Sequence, residues 1–119
     1  MKAEKIFKQR QRELKRLYEA HLHDPTKSQW EKQVCSLEYI LDFEDRSGYW
    51  MGFLSSDEPT TWYRFFGSTE HLDKIEFCCL DDMLYVIEVD RETLNWWQDM
   101  WADWAQLGLL DEAMAKVVS

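Results

Sequence analysis

Apolar residues recur at every third or fourth position from 2 to 23, where Phe7, Leu14, Leu17, Tyr18 and Leu22 line one side of a helix that no proline or glycine interrupts. Glu4 and Lys8 add an i,i+4 pair in the favourable order. Lys5, Lys8, Arg12, Lys15 and Arg16 cover much of the opposite side. Asp24 followed by Pro25 has the form of an N-cap and a first helical position, which predicts a short second helix. From Leu37 the period falls to two: LEYILDFE places Tyr39, Leu41 and Phe43 on one side and Glu38, Asp42 and Glu44 on the other. That is the pattern of a strand with one buried face, with continuation of the second helix through Leu41 as the competing reading.

The rest alternates between strands and turns until the last quarter of the chain. DRSG at 45–48 is turn chemistry, and YWMGFL after it is an aromatic strand in which Gly52 marks a bulge. SSDEPTT, broken by Pro59, is a loop; WYRFFG is a further strand, and STEHLDK is a short helical turn. KIEFCCL and MLYVIEV flank Asp81-Asp82 as the arms of a hairpin. Asp-Asp is a poor two-residue turn, so its loop is expected to be longer. Asp90 caps a final long helix with Glu92 in its first turn, Gly108 ends or bends it, and LLDEAMAKVV forms a terminal helix. The expected architecture is α+β in one domain, 1–119: two N-terminal helices, an antiparallel sheet of about four or five strands, and C-terminal helices packed on one face.

Residues 95–106, NWWQDMWADWAQ, carry four tryptophans and resolve on a helical wheel. Leu94, Trp97, Trp101, Trp104 and Gly108 share a core side, whereas Glu92, Asp99 and Asp103 form an acidic stripe near the opposite side. Trp96 lies between them beside Asp103, with Met100 and Leu107 alongside, and reads equally as core rim or partner contact.

Composition sharpens this picture chiefly through charge. Apolar content of 45% and aromatic content of 15% exclude a disordered acidic chain. The net charge of −9 divides into +4 over residues 1–32 and −13 over the remainder. The basic first helix would suit nucleic acid or another anionic surface, or it is solvated or paired internally. No apolar run approaches the ~18–20 residues that span a bilayer, and the N-terminus lacks a secretory pattern, so a cytoplasmic protein is expected. Cys78 and Cys79 are adjacent and Cys35 stands alone, a spacing suited to buried free thiols rather than to a metal or a disulfide.

Motifs of catalysis are absent: there is no phosphate-binding glycine loop, nucleophile elbow, zinc-protease signature or dinucleotide fingerprint. His21 and His23, two residues apart, diverge on a helix and fit a helix-end role better than a metal site. Neither catalytic residues, metal ligands nor a cofactor is expected. What remains is the arrangement of acids: Asp42, Glu44 and Asp45, Asp57 and Glu58 in a loop, Asp81 and Asp82 at a hairpin tip, and Glu92, Asp99 and Asp103 with Trp96 at their margin. Carboxylates fixed on a helix at i,i+4 rise ~6 Å, close to two phosphate steps of a DNA strand.

In the stretches DFED, SDEP, LDDM and QDMWADW, and in its size, acidity and tryptophan content, the chain resembles the small bacterial DNA-mimic proteins, in particular the kind that engages the histone-like nucleoid protein HU. The resemblance implies a non-enzymatic protein, monomeric when free, that binds HU at its DNA-binding face and does not itself bind DNA. The basic first helix departs from that pattern and confines any mimicry to the later part of the chain. The alternative is an immunity or antitoxin-type inhibitor of a basic nuclease toxin, or a phage-type inhibitor of a host nuclease, with Trp96 or Trp62 as the aromatic anchor.

Overall fold

A computed structural model describes residues 2–24, 36–42, 47–55 and 59–118. Its elements are α1 (Lys2–His23), β1 (Ser36–Asp42), β2 (Ser47–Ser55), β3 (Thr60–Gly67), β4 (Leu72–Leu80), β5 (Leu84–Glu88), α2 (Arg91–Gln106) and α3 (Leu109–Val118). The five strands form one antiparallel sheet in sequence order, β1-β2-β3-β4-β5. The fold is thus α+β, with the strand reading of 36–42 upheld over helix continuation. The helix expected to start at Asp24-Pro25 lies outside the described residues.

Strand alternation decides which residues meet the helices. Register pairs Tyr39 with Trp50, Trp50 with Phe65, Tyr63 with Phe77 and Phe65 with Ile75, so one aromatic row crosses the sheet. That row is buried together with Ala3 and Leu14 of α1, Trp97, Met100, Trp101 and Trp104 of α2, and Leu110 and Ala113 of α3. The other sheet face carries Phe53, Trp62, Arg64, Cys78 and Val86, which pair across the strands in the alternate register. Cys78 and Cys79 are both buried free thiols on opposite faces, as strand geometry requires. Burial pushes the Cys78 thiol up to about 11.

Several local expectations need correction. The strand irregularity falls between Phe53 and Ser55, not at Gly52, which keeps regular register with Leu37 and Tyr63. Residues 68–71 form a turn rather than a helical segment. There the Ser68 hydroxyl accepts the Glu70 and His71 N–H groups at 3.2 Å each, and the Ser68 N–H donates to the His71 carbonyl at 2.9 Å. A serine side chain that satisfies those donors removes the incentive to continue into a helix. Leu22 is not a core residue: 61% of it is exposed, because α1 has passed the edge of the sheet's cover by its last turn. Met100, placed beside Trp96 on the wheel, is fully within the core.

The remaining boundaries follow the local chemistry. The β4–β5 loop spans Asp81, Asp82 and Met83, one residue more than a tight turn, closed by the Asp81 N–H to the Met83 carbonyl at 3.2 Å. Asp90 caps α2 by accepting the Thr93 N–H at 3.3 Å. Gly108 ends α2 at φ +76°, a left-handed position that lets α3 begin at once and bring the Leu110 carbonyl to the Trp50 indole N–H at 3.2 Å. Among the described residues no helix is long and apolar enough to cross a membrane.

Candidate functional site

The acidic side of α2 is not an isolated stripe, because α1 lies beside it. Gln11 Nε2 donates to Asp90 Oδ1 at 2.8 Å and to the Thr93 hydroxyl at 3.3 Å. One turn and a half further on, the Tyr18 ring stacks on Trp96 at 5.8 Å and its hydroxyl donates to Asp99 Oδ2 at 2.5 Å. His21 Nε2 then stands 4.0 Å from Asp103 Oδ2. Contacts that advance together along both chains mean that α1 and α2 run parallel and side by side. Trp96 is accordingly the rim of the core, half-buried under Tyr18.

This seam fixes carboxylates in place while leaving them accessible. Glu92, Asp99 and Asp103 are all exposed, and Asp99 is oriented by the Tyr18 hydroxyl. At the other end of α1, Lys2 Nζ reaches Asp81 Oδ2 at 3.6 Å, with Asp82 next to it at the hairpin tip. Asp81, Asp90, Asp99 and Asp103 thus meet α1 at Lys2, Gln11, Tyr18 and His21. Between Lys2 and His21 the helix rises about 28 Å, or roughly eight phosphate steps of ~3.4 Å.

Asp42 closes β1 opposite Ser47, away from this line in the strand order. Glu44, Asp45, Asp57 and Glu58 lie outside the described residues. The partners that hold Asp90, Asp99 and Asp103, namely Gln11, Tyr18 and His21, left no trace in local sequence pattern. They are about eighty residues distant along the chain, and only the apolar periodicity of both helices hinted that the two would dock.

The outer side of α1 has the opposite sign. Lys5, Lys8, Arg12, Lys15 and Arg16 are exposed, and none reaches a described carboxylate within 4 Å; the close charged contacts of α1 are Lys2–Asp81, Arg10–Glu13 and His21–Asp103. Between the helices is a cleft of about 340 Å³ with Lys8, Arg12 and Lys15 on one wall and Asp90, Glu92 and Trp96 on the other. Among the described residues no group of three His, Cys, Asp or Glu side chains is placed to hold a metal ion.

The Tyr18–Asp99 bond has a consequence for titration. Donation to the Asp99 carboxylate, followed by burial and repulsion from that same charge, pushes the Tyr18 phenol from 10.0 up to about 12. A raised folded-state value stabilises the protonated form, so this contribution is complete below pH ~10 and is lost as pH rises through ~12. The difference in phenolate absorbance between wild type and Tyr18→Phe should therefore show a late step near pH ~12. A Tyr18 that ionises near pH 10 would mean that the bond to Asp99 is not made in solution.

No family model, curated protein or solved structure matches the chain.

Proposed function

We propose that the protein is a non-enzymatic interaction protein that meets a basic nucleic-acid-binding protein, of the HU-like kind, at the surface that partner uses for DNA. The carrying observation is the line of carboxylates along α1, with Asp99 oriented by Tyr18 and Asp103 set beside His21. Imitation of a phosphate strand needs charges whose positions are set before binding, since ordering them at the moment of contact would weaken it. The tryptophan side of α2 provides that rigidity: Trp97 and Trp101 are fully buried beneath the stripe. Longer-range attraction between this surface and a cationic partner would be strongest at low salt.

Changing Asp99 and Asp103 together to Asn tests the reading. Affinity for an HU-like protein at low salt should fall roughly tenfold, with a shallower dependence on ionic strength, consistent with ~0.5–1 kcal/mol for each exposed charge pair. DNA added as competitor should release the wild-type complex. Unchanged affinity, with the aromatic circular dichroism of the fold intact, would remove α2 from the interface.

A second reading, an inhibitor of a basic nuclease, is favoured by Trp62. Its indole is half-buried on the sheet face turned away from the described helices, beside Phe53 at 6.4 Å, and its Nε1 has no acceptor. An aromatic group of that kind is a common anchor in tight inhibitor interfaces. Loss of nuclease inhibition in Trp62→Ala, with the α2 variant unaffected, would favour this reading over the first.

A further inference from the structure

We propose that two copies of this chain associate through the α1–α2 face, about a two-fold axis parallel to the helices, so that the cationic side of each α1 lies over the acidic side of its partner's α2. This goes beyond the function proposed above and does not depend on it. It replaces the free monomer expected from the resemblance to DNA mimics.

The argument starts from the arrangement of charge. Two parallel helices of opposite sign make a surface that is positive on one side and negative on the other. A two-fold axis lying in the interface and parallel to the helices exchanges left for right, so it stacks α1 over α2 and α2 over α1. A two-fold across the helices would instead stack α1 on α1 and α2 on α2. Only the first sets Lys8, Arg12 and Lys15 against Glu92, Asp99 and Asp103, and it does so twice in one closed, isologous contact. In a chain of net charge −9, five exposed cations on one helix without a carboxylate in reach are the feature that such a contact would absorb.

Two further observations agree. Leu22 and Leu107, at the C-terminal ends of the parallel helices, are 61% and 70% exposed. They sit at the same end of the face, next to the His21–Asp103 contact, and the axis described would bring both into an apolar cluster with their counterparts. The size is adequate as well. α2 is about 24 Å long and a helix pair roughly 20 Å wide, giving a projected overlap on the order of 500 Å². Side-chain relief raises that towards the ~800 Å² per partner of a standard interface. With charge as its main attraction, the dimer is expected to be salt-sensitive, because the Debye length falls from ~10 Å at 0.1 M to ~3 Å at 1 M.

Sedimentation equilibrium of the protein alone tests this, first without any substitution. At low salt the mass should approach twice the 14.4 kDa of the chain, and it should return to 14.4 kDa as salt approaches ~1 M. Two charge-reversed variants then ask where the contact lies. Lys8→Glu/Arg12→Glu/Lys15→Glu and Glu92→Lys/Asp103→Lys should each be monomeric, since like charges would oppose each other at both contacts. Mixed in equal amounts they should form a heterodimer, because both contacts are again of opposite sign.

A wild-type mass of 14.4 kDa at every concentration and salt would overturn the proposal. So would a dimer that survives in both variants, which would place the contact elsewhere, or a folded pair that stays monomeric on mixing. If the wild type is monomeric and its α1 cations retain duplex DNA instead, the surface serves a phosphate backbone and the proposal fails. No HU-like partner enters these measurements, so their failure and the failure of the function proposed above are separate results.

Discussion

Trp101→Ala should leave little or no cooperative unfolding transition at 37 °C. The indole is wholly buried, with its ring 5.2 Å from Trp50, 5.1 Å from Phe65 and 6.0 Å from Trp104, and its N–H donates to the Ser68 carbonyl at 2.8 Å. Truncation of a buried tryptophan typically costs ~3–5 kcal/mol, and the orphaned carbonyl adds ~1–3 kcal/mol. A domain of this size has ~5–15 kcal/mol in total. Trp101→Phe keeps most of the volume and loses the hydrogen bond, so it should sit well above the alanine variant in stability. Urea unfolding followed by aromatic circular dichroism measures both; a loss under ~1 kcal/mol for the alanine change would mean that α2 is not anchored by this ring.

Gly67→Ala should be the most damaging glycine substitution among those described. Gly67 has φ +144°, where an L side chain is rarely accommodated, and a Cβ built there meets the His71 carbonyl oxygen at 2.2 Å. That oxygen belongs to the backbone and accepts the Ser68 N–H, so it cannot move without opening the β3–β4 turn. Strain of ~1–3 kcal/mol plus about one lost hydrogen bond gives a destabilisation of roughly 2–4 kcal/mol. Gly108→Ala is the control: φ is also positive, at +76°, but a Cβ meets nothing within 4 Å, and the expected loss is ~1–2 kcal/mol. Equal melting temperatures for the two variants would show that the turn relaxes freely.

What could be read from residues and what could not divide along a physical line. Alternation in LEYILD and the three-to-four spacing of Trp97, Trp101 and Trp104 are written by the face each element buries, so strand, helix and core side were legible locally. The tryptophan stripe reads as core for the same reason. The neighbour of the acidic stripe was not legible. Asp99 looks solvated on a wheel of α2 alone, and its hydrogen bond to Tyr18 spans most of the chain. Trp96 was ambiguous for the same reason, until α1 supplied the ring that covers it. The turn at Ser68 and the irregularity after Phe53 failed differently: each depends on which backbone donors are satisfied, and one serine hydroxyl or one extra residue outweighs propensity there.

The meander order of the sheet bears on how the chain is made. Every strand pairs with its neighbour in sequence, so β1 to β5 can assemble by successive short loop closures, each cheap in entropy and fast. The first helix has no such local partner. Its docking groups, Gln11 and Tyr18, wait for Asp90 and Asp99, which leave the ribosome about eighty residues later. At ~5–20 residues per second that delay is on the order of four to sixteen seconds. During it the apolar side of α1, with Phe7 and Leu14, has nothing of its own chain to cover it, while its five outward cations keep the nascent segment soluble. The basic helix, whatever it binds in the finished protein, is therefore also the element most exposed to chaperones during synthesis.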